Sequence, residues 1–205
     1  MDAVRKFFEN IKTLHFSIVA SAICCAVNMV CSFITGNYTG AVSLLIVIPC
    51  IITLGVSYDR HNKNVMKAMI GAVLMWYVTD IIDFDGHTVI PQAVSADGAY
   101  HSANGYVFIL FEALLVLMFS VLFVNHFVIN SDHHSSPANV MANQVIVLVA
   151  AGVAFMQVFM AFNIIDGAAG IIGIVCRQLS QVTFLTSIVG VESKLDAYRI
   201  QREQK

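Results

Sequence analysis

The sequence predicts an all-α polytopic membrane protein, a bundle of six transmembrane helices with both termini in the cytoplasm, and three observations predict it. Hydrophobic residues make up 58% of the chain and charged residues only 12%, with a mean hydropathy of +0.78, whereas a soluble domain carries about 25% charged residues. Six apolar runs of spanning length follow one another along the chain. Ten of the eleven Lys and Arg residues fall on one side of those runs.

A helix needs about 20 largely apolar residues to cross the hydrocarbon core, and the six runs are residues 13–34, 40–57, 65–83, 105–129, 142–163 and 169–191. The first exceeds the h-region of a cleavable signal peptide, about 7 to 15 residues, and no A-x-A site follows it, so it is expected to remain as an anchor. In it Ser17, Ser21, Cys24, Cys25, Asn28, Cys31 and Ser32 recur at helical spacing, the small and weakly polar stripe by which membrane helices meet one another. The second run is the shortest and contains Pro49, which removes a backbone hydrogen bond and predicts a kink. The third ends in "WYVTDIIDFDGH", where Trp76, Thr79, Asp80 and Asp83 share one face, Trp76 and Tyr77 are placed as aromatic anchors at the outer interface, and Asp80 falls near the hydrated boundary. The fourth carries Glu112 six residues inside Tyr106, a depth of ~9 Å at 1.5 Å per residue. The fifth offers Ala150, Ala151, Gly152 and Ala154 for close packing. The sixth, "GIIGIVCRQLSQVTFLTSIVG", places Arg177 at a depth of ~12 Å from the outer end.

The basic residues set the orientation. Arg5, Lys6 and Lys12 precede the first run, Arg60, Lys63 and Lys67 lie around the second connection, and Lys194, Arg199, Arg202 and Lys205 follow the sixth. That side is cytoplasmic by the positive-inside rule, which puts the chain in the plasma membrane as a multi-pass protein. The opposite connections hold Asp80, Asp83, Asp85, Asp97 and Asp166 and no Lys or Arg. The longest of them, Phe84 to Asn104, is expected outside.

The eleventh basic residue is Arg177, inside a span. An unpaired charge there costs about 2.5 to 3.5 kcal/mol on insertion scales, so intramembrane charges face the bundle and pair. Arg177, Ser180, Gln181, Phe184 and Ser187 form one helical stripe that turns the arginine inward. Glu112 lies at similar depth, and the expected outer-half polar cluster is Arg177, Glu112, Gln181, Asn28 and Asp80. Such a cluster either fixes helix register or forms the floor of an outward-facing site for a small polar or anionic ligand.

Other features point to less. Cys24, Cys25, Cys31, Cys50 and Cys176 all lie in apolar runs without C-x-x-C spacing and read as packing residues. "NHFVINSDHHSS" places His126, Asp132, His133 and His134 at the cytoplasmic face with His61 in the other cytoplasmic connection. Their H-x6-H-H spacing differs from the H-x-x-H-H and H-x-x-x-H blocks of membrane di-iron oxygenases, so no metal and no cofactor are expected. His87 and His101 form a weak pair in the outer connection. The basic residues make no continuous stripe, which argues against nucleic acid. There is no nucleophile with its base, no phosphate loop and no paired catalytic carboxylates, so the enzyme class is the weakest of three.

The chain is expected to consist of a transmembrane domain, 1–193, and a short cytoplasmic helical tail, 194–205. In "VESKLDAYRIQREQK" the residues Val191, Leu195 and Tyr198 continue a helical stripe and Arg199 and Glu203 stand at i, i+4, so the sixth helix is expected to run on into the cytoplasm. At the level of architecture alone the chain resembles the multi-span input modules of bacterial signalling proteins. The leading reading is a sensory or regulatory module that reads an external or membrane signal through the polar cluster and transmits to a partner through the C-terminal helix. The alternative is a small-molecule transporter or a substrate-binding membrane subunit using the same cluster.

Overall fold

The computed structural model describes residues 11–59, 63–84, 103–124, 137–165 and 167–203. Among these residues it is all-helical, with six helices: α1 (Ile11–Ile34), α2 (Tyr38–Asp59), α3 (Lys63–Phe84), α4 (Ala103–Val124), α5 (Pro137–Ile164) and α6 (Ala168–Glu203). Five of them contain one of the apolar runs read from the sequence, and α4 covers the fourth run as far as Val124, its last residues lying outside the described ones. Four are long and apolar enough to cross a membrane, over Leu14–Ile34, Tyr38–Tyr58, Met141–Phe162 and Ala168–Gly190, and they mark a membrane-embedded protein. α4 has a shorter apolar stretch, Leu110–Leu122. α3 is more polar, carrying Lys63 and Lys67 at one end and Asp80 and Asp83 at the other.

Successive helices pack side by side, and the ring closes where α1 meets α6, the most extensive of the helix contacts. The distribution of side chains is that of a protein whose solvent is lipid. On α1, Phe16, Val19, Ile23, Val27 and Val30 are exposed, Phe16 to 71%, while Ser17, Ser21, Cys25, Asn28 and Cys31 are buried. The small polar stripe therefore faces another helix, as expected, and that helix is α6, since lipid tails satisfy apolar groups and only other helices satisfy hydroxyls and amides. α5 differs from expectation in detail. Ala150 and Ala154 are buried, but Gly152 is exposed and a side chain built there would meet nothing, because a residue two positions along a helix points to the far side.

The connection between α1 and α2 is fixed by local chemistry. Gly36 has φ +82°, and around it the Gly36 N–H donates to Phe33 O and the Asn37 N–H to Ser32 O. This is the paired-bond helix ending that needs a left-handed residue, which glycine adopts without strain. Asn37 then caps α2, its Oδ1 accepting from the Gly40 N–H at 2.9 Å. α2 runs as one helix through Pro49.

α6 is unbroken over 36 residues. At 1.5 Å per residue that is ~54 Å, well beyond the ~30 Å of a hydrocarbon core. From Arg177 to Gly190 it is buried over most of its circumference: Arg177, Gln178, Ser180, Gln181, Phe184, Leu185, Ser187, Ile188 and Val189 are all within the core.

Candidate functional site: a buried arginine between two carboxylates

The inward stripe of α6 carries the arginine into the bundle, where it meets acids from two other helices. Arg177 Nε donates to Asp80 Oδ2 of α3 at 2.6 Å, and Nη1 donates to Glu112 Oε1 of α4 at 3.0 Å. The side chains of Arg177 and Glu112 are 2% and 0% exposed, and that of Asp80 is 13% exposed. Ion pairs this enclosed escape the screening that makes surface pairs weak, but each ion also gives up its hydration, so the arrangement holds only where hydrogen bonds replace the water. Gln178, the next residue on α6, supplies one of them: its Nε2 donates to Glu112 Oε1 at 3.3 Å.

The replacement is incomplete. Glu112 Oε2 is buried and accepts no hydrogen bond among the described residues. Gln178 Oε1 and both amide atoms of Gln157 and Gln181 are buried in the same unbonded state. Gln157 projects from α5 beside the Glu112 carboxyl but makes no hydrogen bond to it of acceptable geometry. Buried amides and carboxylates normally find partners, so this group of atoms holds hydrogen-bonding capacity that the described residues do not use.

One turn further along α6, Ser180 closes the site from below. Its Oγ donates to the Arg177 carbonyl at 2.7 Å and accepts from Tyr77 Oη at 3.1 Å, and its own carbonyl accepts from Ser21 Oγ of α1 at 3.1 Å. Tyr77 is fully buried and stacks on Phe119 of α4 at 5.4 Å with an interplanar angle of 8°, and packs on Phe184 of α6 at 5.8 Å. An aromatic layer contributed by three helices is thus tied to the charged group through Ser180.

No family model, curated protein or solved structure matches this chain.

Of the five residues expected in the cluster, three are bonded directly: Arg177, Glu112 and Asp80. Asp80, expected near the hydrated boundary, instead makes the shorter of the two bonds to the guanidinium. Gln181 is buried one turn from Arg177, with its amide unbonded. Asn28 stands against Gly173, one turn from Arg177 on its other side, where a Cβ on that glycine would stand 3.5 Å from Asn28 Oδ1. Gln178 and Gln157 are additions. Gln157 could have been found by extending the α5 stripe, since Ala150, Ala154, Gln157 and Ala161, all buried, follow i, i+4, i+7 and i+11. Two further expectations change. Tyr77 is a core residue, not an interface anchor. Thr79 is exposed and bonded to its own helix, while Trp76 donates from Nε1 to Ser43 Oγ of α2 at 3.0 Å. His61, His87, His101, His126, Asp132, His133 and His134 lie outside the described residues, as do Asp85, Asp97 and Asp166.

Proposed function

We propose that the chain is a sensory or regulatory membrane module: six helices cross the plasma membrane with both termini in the cytoplasm, the Arg177 cluster reads a signal in the outer half of the bundle, and α6 transmits it. The observation that carries this reading is that site and output share one element. Arg177 and Gln178 belong to the same unbroken helix that ends at Glu203, so a change in how α3 and α4 hold Arg177 bears on the backbone of the helix that leaves the membrane. A rigid helix with two discrete packings against its neighbours is the physical means by which such coupling travels. The partner at the cytoplasmic end is met through residues 194–205.

The unbonded amides of Gln157 and Gln181 favour a second reading, in which they bind a small polar solute that the bundle transports. Two measurements test the proposal. Single cysteines at Gly98 and Ser135 in a cysteine-free background are expected to label from outside and inside respectively; labelling of Ser135 from outside would sink the six-span arrangement. Deleting residues 194–205 is expected to leave insertion intact and abolish the output, with topology checked because four positive charges are lost. A transporter without those residues would still move its solute.

A further inference from the structure

Counting charge around Arg177 leaves a remainder. Two carboxylates face one guanidinium, and between Lys67 and Lys194 the sequence contains no Lys or Arg other than Arg177, so no second fixed cation is at hand in the outer half of the bundle. The groups facing Glu112 among the described residues are Arg177 and Gln178 from α6, Asp80 from α3 and Gln157 from α5, of which only Arg177 is positive. Taking a lone negative charge out of water is costly enough that such a group normally acquires a positive partner or a proton. Among the described residues the fully buried Oε2 of Glu112 accepts no hydrogen bond, and the amide oxygens of Gln157 and Gln178, whose side chains lie beside that carboxyl, are buried and unbonded as well.

We infer that the site is completed by one monovalent cation at Glu112 Oε2, so that its ligand is a cation and not the anion that an isolated arginine would attract. This names the ligand class of the site on which the proposed function rests. An anion would face two carboxylates already bonded to the guanidinium and would add to the surplus negative charge. A divalent ion would overshoot it, and among the described residues no three His, Cys, Asp or Glu side chains come together to hold a metal ion. A single positive charge closes the balance, with oxygen atoms as its natural partners. Two sources share that chemistry: a proton on the carboxyl, or an alkali-metal ion such as sodium held by the carboxylate and the amide oxygens of Gln157 and Gln178. Either would enter or leave with a change in the charge that Arg177 experiences, and hence in how tightly α3, α4 and α6 are drawn together.

The protein carries its own reporter. Trp76 is the single tryptophan, lies one turn from Asp80 on α3, and contacts Tyr77 with ring centres 4.9 Å apart. The test uses the purified full chain in detergent, with thermal midpoint and tryptophan fluorescence followed from acid to alkaline pH. Sodium chloride is compared with N-methylglucamine chloride at equal ionic strength, and sodium acetate with sodium chloride at equal sodium. The wild-type chain is expected to be least stable at alkaline pH without sodium and to gain stability as a cation is supplied, because a ligand that binds only the folded state stabilises it by mass action. A response to pH alone assigns the proton; a further response to sodium at alkaline pH, absent with N-methylglucamine, assigns the alkali ion. Glu112→Gln removes the surplus charge with little change of shape and is expected to lose that response. Asp80→Asn removes it at a partly exposed position, so it reports independently if Glu112→Gln does not fold. Identical pH and sodium dependence in wild type and in either variant would overturn the inference, as would an acetate effect that disappears in Arg177→Lys. Because binding is read without any output, a missing cation response defeats this inference and leaves the sensory reading standing. A cation response in a chain whose tail proves irrelevant defeats the sensory reading alone.

Discussion

Arg177 and Asp80, 97 positions apart in sequence, meet at 2.6 Å inside the bundle, and the same guanidinium holds Glu112 at 3.0 Å. The arginine is therefore shared, and its two partners are not equivalent: Glu112 is fully enclosed while Asp80 keeps 13% of its side chain exposed. A shared arginine makes the three residues respond unequally to substitution.

Arg177→Leu strands two carboxylates in the bundle and is expected to be the most damaging change, by about 3–5 kcal/mol as for a broken buried pair. Glu112→Leu leaves Arg177 paired with Asp80 and should cost clearly less. Thermal melts of the two single variants and the double variant in detergent form the cycle. Equal losses from the two single changes would show that Asp80 does not support the arginine, and strictly additive losses would show that Arg177 and Glu112 do not interact.

Tyr77 is tied to the charged group through Ser180, and its hydroxyl and its ring contribute differently. Tyr77→Phe keeps the stacking on Phe119 and removes one bond to Ser180 Oγ, with an expected cost of about 1 kcal/mol. Tyr77→Ala opens a cavity among Phe119, Phe184 and α6, and about 3–5 kcal/mol is expected. Comparable losses from the two variants in the same melting assay would mean that the hydroxyl, not the ring, holds this layer.

At the α1–α2 turn, Asn37→Ala removes the cap on the Gly40 N–H and is expected to cost about 1 kcal/mol. Gly36→Ala imposes a Cβ on a left-handed residue, although nothing crowds the space around it, so its cost is conformational and of similar size. Gly36→Asn, which tolerates that conformation better, should be milder than Gly36→Ala; the reverse order in thermal melts would contradict this account of the turn.

Gly173 brings α6 close to α1: a Cβ there would stand 3.2 Å from Cys31 Cβ and 3.5 Å from Asn28 Oδ1. Gly173→Ala forces these neighbours to shift slightly, and Gly173→Leu forces the helices apart. Stability is expected to fall in the order Gly, Ala, Leu. A leucine variant as stable as wild type would show that α1 and α6 do not meet there.

The all-helical, membrane-embedded class was legible from composition and from the length of the apolar runs, and the inward polar face of α1 from periodicity. Ser17, Ser21, Cys25, Asn28 and Cys31 repeat with the helix while lipid-facing apolar residues fill the gaps. The pairing of Arg177 with Glu112 was legible from depth, since a buried charge must find its opposite. Gln178 was not, because a stripe argument assigns one inward face and Gln178 lies about 100° from Arg177. That argument fails on α6, which is buried on most sides, so adjacent residues both point into protein. Tyr77 misled for a related reason: an aromatic residue near a helix end fits an interface belt equally well, and only the Ser180 hydroxyl across the bundle decides otherwise. Asn28 followed the α1 stripe correctly but at a height that sets it against Gly173, a detail that rests on the relative shift of two helices.

The claim that the cluster and the C-terminal end of α6 are coupled is tested most directly by an environment-sensitive dye on a single cysteine at Gln201, in an otherwise cysteine-free chain. Gln201 is ~36 Å along the helix from Arg177. Replacing Glu112 by Gln is expected to change the dye's emission, and a proline at Ser193, which interrupts α6 between site and dye, is expected to abolish that change while leaving the cluster intact. A dye signal indifferent to Glu112→Gln in the unbroken helix, with the protein folded, would contradict the account.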